Sequence, residues 1–159
     1  MKTMAICLAL VAWPALAAAA PSFSVIGATG EARTLGPAEL QRLRVREVCV
    51  TDPHSKQPSR YRGVDLSEVL ALVGAPSGEA LRGNALALTV EVEALDGYRA
   101  AFSLAELDAG VGSTDAVIAF ERDGKPLGGE LGAFRVVVPT DKRGARWVRQ
   151  VAKIRVIKP

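Results

Sequence analysis

Histidine occurs once, cysteine twice, and Phe, Trp and Tyr together make up only 5% of the 159 residues. Each scarcity removes a class of function. A single histidine, His54, excludes a metal site built from several imidazoles. With few aromatics and no basic face interleaved with them, the chain lacks the stacking platforms of a nucleic-acid binder. No Walker loop, no dinucleotide fingerprint behind a strand and no Gly-x-Ser-x-Gly elbow is present, so a self-contained hydrolase finds no support. Cys7 lies in an apolar run at the N-terminus, which leaves Cys49 alone in the rest of the chain, without a disulfide partner. Because cysteine is among the most buried residue types, a buried and inert Cys49 is the plain expectation. A metal or redox role is the other reading.

Residues 1–20 also lack a twin arginine. They hold instead Met1-Lys2-Thr3 followed by an apolar run from Met4 to Ala20, broken by Pro14 and ending in small residues. One early lysine, a short hydrophobic stretch and the small-x-small triplet Ala15-Leu16-Ala17 are the three regions of a secretory signal peptide. The run is too short for a comfortable membrane span. The expectation is a signal peptide over residues 1–19, cut between Ala17 and Ala19, and one mature domain over 20–159. That domain is expected to be periplasmic or secreted, with no membrane span after processing. A leader of this kind serves unfolded cargo, whereas a large cofactor would have to be inserted before export.

Twenty basic residues face seventeen acidic ones, a net charge of +3 that falls to +2 once Lys2 is removed. The positive charge is concentrated at one end. From Asp141 to Pro159 there are seven Lys and Arg against one acid, while residues 21–140 are acidic on balance. A near-neutral chain with one basic segment suggests a local anion site, or else a solvated basic tail.

Periodicity predicts alternating strands and short helices. Ser22 to Ile26 reads as a first strand, and Thr34 as the cap of a short helix over Pro37 to Leu43. Glu47 to Thr51 reads as a strand carrying Cys49, and Asp52 to Arg62, with its prolines and charges, as a loop. Asp65-Leu66-Ser67-Glu68 and Ser103-Leu104-Ala105-Glu106 have capping-box spacing, each ahead of a short helix; the first ends at Gly74. Ala85 to Leu95 alternates strictly, Asp96-Gly97 is a hairpin turn, and Tyr98 to Phe102 returns. Caps and turns thus account for Asp65, Glu68, Asp96 and Glu106, which makes them poor acid–base candidates. Ala116 to Phe120 is a buried strand ahead of the Asp123-Gly124 turn. Gly128 to Gly132 is a glycine-rich loop, Phe134 to Val138 a strand, Pro139 to Arg146 a basic loop and Val148 to Ile157 a last strand. With no internal repeat and no linker, this is one α+β domain with a mixed β-sheet and short helices.

Five segments, in order, carry a resemblance. They are Tyr61-Arg62-Gly63-Val64-Asp65-Leu66, then Asp96-Gly97-Tyr98, then Ile118 to Leu127, then Gly132 to Pro139, then Arg146-Trp147-Val148. Together they resemble the molybdopterin-binding domain of the sulfite oxidase family, over roughly residues 45 to 157. The resemblance implies that Cys49, fourteen residues before Gly63, stands where the family's thiolate ligates molybdenum. A thiolate is a soft ligand suited to a metal bound through sulfur. It also implies that Arg135 and Arg146 match the family's arginine and the basic residue that helps hold the pterin phosphate. Arg143 joins them as a candidate for the cofactor or an anionic substrate.

Two departures bear on that reading. Leu131-Gly132-Ala133-Phe134 stands where the family has His-Gly-x-Pro, and Cys49 is followed by Val50-Thr51-Asp52 instead of Ala-Gly-Asn. Two functions are therefore carried forward. The first is a module that keeps the fold, holds no cofactor and binds a small anion, a pterin or a redox or periplasmic protein partner. The alternative is a molybdopterin-dependent oxidoreductase with Cys49 as molybdenum ligand.

Overall fold

The computed structural model describes residues 20–159. The expected signal peptide over 1–19 lies outside the described residues. The strands are β1 (Phe23–Ile26), β2 (Ala32–Leu35), β3 (Val45–Thr51), β4 (Pro58–Asp65), β5 (Thr89–Ala94), β6 (Arg99–Ser103), β7 (Val117–Arg122), β8 (Lys125–Pro126), β9 (Arg135–Val137) and β10 (Val151–Ile157). The helices are α1 (Pro37–Leu40) and α2 (Leu66–Ala71), and the remaining helical turns are short 3₁₀ segments.

Two sheets form. One has the order β2-β1-β10-β5-β6, mixed because β1 runs parallel to β10 while its other pairs are antiparallel. The other has the order β3-β4-β7-β8, with β9 also paired to β7. Their buried residues, with those of both helices, make one hydrophobic cluster. Phe23 of β1 meets Phe134, just before β9, edge to face at 4.8 Å. Burying this many branched side chains is the main stabilising term, at about 25 cal/mol per Å² of apolar surface.

The strict alternation of Val90, Val92 and Ala94 does place these residues inward on β5. The residues before it differ from the expectation, since Gly83–Ala87 is a 3₁₀ turn. The Asp52–Arg62 segment is not wholly a loop, because β4 begins at Pro58. Ser59, Tyr61 and Gly63 face inward there while Arg60 points outward. Gly63 sits at a register shift against β7, where an added Cβ would lie 2.3 Å from the Ile118 carbonyl oxygen. No side chain fits that gap.

Three caps also differ. Thr34 lies inside β2, and the cap of α1 is Gly36, whose amide donates to Glu39 at 2.8 Å. Asp65 makes no side-chain cap for α2 and accepts instead from Arg46 at 2.6 Å. Of the Ser103 to Glu106 box one arm forms, the Ser103 amide donating to Glu106 at 2.8 Å, while the Ser103 hydroxyl accepts from Ala105, and the segment opens only a 3₁₀ turn.

Candidate functional site

The segment between β3 and β4 folds around one carboxylate. Asp52 accepts from the backbone amides of His54 at 2.8 Å and Ser55 at 3.2 Å, which fixes an Asx turn. Its other oxygen accepts from the Tyr61 hydroxyl at 2.5 Å and from Arg135 Nη1 at 2.6 Å. Arg135 Nη1 also donates to the Tyr61 oxygen at 2.7 Å, and Nη2 meets His54 Nδ1 at 3.1 Å. Asp52 and Arg135 are each only 1% exposed, and Tyr61 is fully buried.

Burial alone would raise the Asp52 carboxyl. The hydrogen bonds from Tyr61, the His54 amide and Arg135, with the charge of Arg135, outweigh it and hold Asp52 well below the usual carboxylate range. The Tyr61 phenol is pushed up to about 12, first by burial and then by its bond to Asp52. Trp147 packs beside the cluster. Arg135 lies over its ring at 5.1 Å, Tyr61 meets it edge-on at 6.1 Å, and its indole N–H donates to the Val138 carbonyl at 3.0 Å.

Next to this cluster opens a hollow of about 470 Å³. Its walls are the His54 loop, the β5–β6 hairpin and the basic loop over 142–149, tied to the hairpin by the Tyr98 hydroxyl on the Ala145 carbonyl at 2.7 Å. Lys56, Lys142, Arg143 and Arg149 line it, and the ion pairs among the described residues leave all four free. Asp96 is the one carboxylate on the wall, with an oxygen already accepting from the Tyr98 amide. Gly144 packs so close to His54 that an added Cβ would lie 2.5 Å from its Cε1.

The four residues expected at the site fall in different places. Arg143 lines the hollow, and Arg135 lies buried in the cluster beside it. Arg146 is held by Asp141 and Glu106, four hydrogen bonds in all, with its guanidinium 4.6 Å over the Phe102 ring. Cys49 is exposed, contrary to the expectation of burial. It pairs with Arg60 across β3 and β4, while Val48 pairs with Tyr61. Neighbouring residues on a strand point to opposite faces, so Cys49 and Tyr61 lie on opposite sides of the sheet. The thiol borders a separate hollow lined by Glu47, Arg60 and Asp123.

A family model described as "Oxidoreductase molybdopterin binding domain" matches residues 12–159. The chain belongs to this family. No curated protein matches it. Among solved structures, the sulfane dehydrogenase SoxCD from Paracoccus pantotrophus is similar with a TM-score of 0.66 and 17% identity, over 87% of this chain. At that identity the likeness shows the fold. The chain spans only 38% of the length of that SoxCD chain.

As a member of a molybdopterin-binding family, the chain can be tested against the cofactor's needs, a thiolate for the metal and cations for the phosphate on one wall. The residues do not fit that set. The cations line one hollow, the thiol faces another across the sheet, and both Nη groups of Arg135 are taken up by Asp52, Tyr61 and His54, its buried Nε alone lacking a partner. Asp52, Tyr61 and His54 were not singled out as site residues by sequence reasoning. The Asp-Pro-His turn and the single histidine were the available signals.

Proposed function

We propose that this family member is an exported, minimal form of the molybdopterin-binding fold that binds a small anionic ligand without catalysis of its own. The observation that carries the reading is the hollow in which Lys56, Lys142, Arg143 and Arg149 stand free of partners around His54. Cavities of this size hold small organic ligands, and unpaired cations beside Tyr98 and Trp147 favour an anionic group on a partly apolar body. A pterin satisfies that description, as does an acidic segment of a periplasmic protein partner. Export is supported by the leader pattern of residues 1–20. No helix of the described residues is long and apolar enough to cross a membrane.

The enzyme reading keeps Cys49 as molybdenum ligand. It would have to seat the cofactor on the outer face of β3, where the carboxylates of Glu47 and Asp123 stand beside the thiol. That surroundings of mixed charge suits a phosphate poorly.

The test uses protein purified from its native exported fraction. Molybdenum and pterin are quantified in the wild type, and inorganic phosphate is titrated calorimetrically into wild type and Arg143→Glu. The expected result is molybdenum far below stoichiometry and phosphate binding that Arg143→Glu weakens. Near-stoichiometric molybdenum that Cys49→Ser abolishes would overturn the reading and establish the enzyme.

A further inference from the structure

Arg135 and His54 together define what the hollow offers to a ligand. A guanidinium carries only donors, so the 3.1 Å contact between Arg135 Nη2 and His54 Nδ1 is a hydrogen bond only when Nδ1 is bare. The competing arrangement, a proton on Nδ1 shared with Asp52 Oδ1, is disfavoured at 3.6 Å and would set that proton against Arg135. In a neutral imidazole the hydrogen then sits on Nε2. The ring is half exposed and lines the hollow, and Nε2 has no hydrogen-bond partner among the described residues.

Resting on the reading of the hollow as an anion site, we infer that His54 is its specificity-determining contact, a neutral Nε2–H donor for an oxyanion, with Arg135 as the positioning residue that fixes the tautomer. The arrangement is rigid for identifiable reasons. The Asp52 carboxylate holds the turn that carries His54 and also orients Arg135. Gly144 closes over the ring's Cε1 edge, where any larger residue would displace it. A hydrogen fixed on Nε2 also prevents neutral His54 from serving as a metal ligand through that nitrogen. The ligand class that fits is an oxyanion presenting a bare oxygen, such as a carboxylate or phosphate: the donor supplies direction, and Lys56, Lys142, Arg143 and Arg149 supply charge.

His54 is the only histidine, so protein grown with isotope-labelled histidine gives a single imidazole in nitrogen NMR. With the imidazole neutral, the full-length mature protein should show a bare Nδ1 and a hydrogen-bearing Nε2. Inorganic phosphate should then shift Nε2 saturably. His54→Ala should weaken phosphate binding about tenfold, as expected for a hydrogen bond to a charged group, and His54→Gln should recover part of it. A hydrogen on Nδ1, or two tautomers in comparable amounts, would overturn the inference whether or not phosphate binds. So would wild-type affinity in His54→Ala. Phosphate that binds and responds to Arg143→Glu but not to His54→Ala would leave the anion-site reading standing and remove this one. Absence of phosphate binding in the wild type would remove both.

Discussion

The Asp52–Tyr61–Arg135 cluster makes a stability prediction because its two acids are shifted in opposite directions. Asp52 is held low, so its contribution is present above pH 3.8, the ordinary aspartate value, and is lost as pH falls through its depressed value. Tyr61 is held high, at about 12 against an ordinary 10.0, so its contribution is full below pH 10 and lost as pH rises towards 12. A shift of that size corresponds to about 2–3 kcal/mol. Urea unfolding of wild type and Tyr61→Phe across this alkaline range should show the wild type losing about that much more stability. Parallel curves would mean the phenol is not coupled to the cluster. At neutral pH, Asp52→Asn should cost about 3–5 kcal/mol, because it leaves the buried charge of Arg135 unpaired. Neither partner is close to Arg135 in sequence: Asp52 is 83 positions away and Tyr61 is 74. Such pairings are set by topology, which is why the partners were not legible, whereas Arg135 was a candidate through the family resemblance alone.

At the scale of elements, what could be read from the sequence depended on how cleanly each strand separates apolar from polar. The β5–β6 hairpin was legible because Val90, Val92 and Ala94 alternate with Glu91 and Glu93. The start of β4 was not, because its inward positions are Ser59, Tyr61 and Gly63, and only one of these carries a large ring. β2 is four residues long with three exposed, so nothing in its composition marks it as a strand. The placement of Cys49 was within reach: Glu47, Cys49 and Thr51 alternate with Val48 and Val50, and that pattern alone puts the thiol on the polar face. Trp147, read in the sequence only as part of the Arg146-Trp147-Val148 segment, is buried at the edge of the basic loop. Its indole joins that loop to the end of β9 through Val138 and supports Arg135 from one side. Trp147→Ala should therefore destabilise the fold by about 3–5 kcal/mol, the usual cost of removing a buried aromatic. A change in thermal midpoint of less than a degree would show that the ring carries no core packing. Loss of phosphate binding without loss of stability would instead make it a contact residue of the hollow.

Over the whole molecule, the most consequential pairing joins the two ends of the described chain. Ser24, Val25 and Ile26 of β1 run parallel to Lys153, Ile154 and Arg155 of β10, and β10 in turn pairs with β5. The central strand of the mixed sheet thus lies far from β1 in sequence, and β1 has no neighbour on that side until β10 is in place. Pairing between strands so distant in sequence forms slowly, because the intervening loop must close before the contacts form. Slow pairing suits the expected leader over residues 1–19, whose one lysine, apolar run and lack of a twin arginine match export of unfolded cargo. The folded end also bounds where cleavage can fall. The Pro21 carbonyl lies near Gly36, within 3.2 Å of where a Cβ would stand, and β1 begins at Phe23. The expected cut inside the alanine tract would leave both features intact. The mature protein is therefore expected to begin within Ala18 to Ala20 and to be recovered in the soluble exported fraction. Mass spectrometry of the intact exported protein measures this directly, and a chain still carrying Met1 in a membrane fraction would reject it.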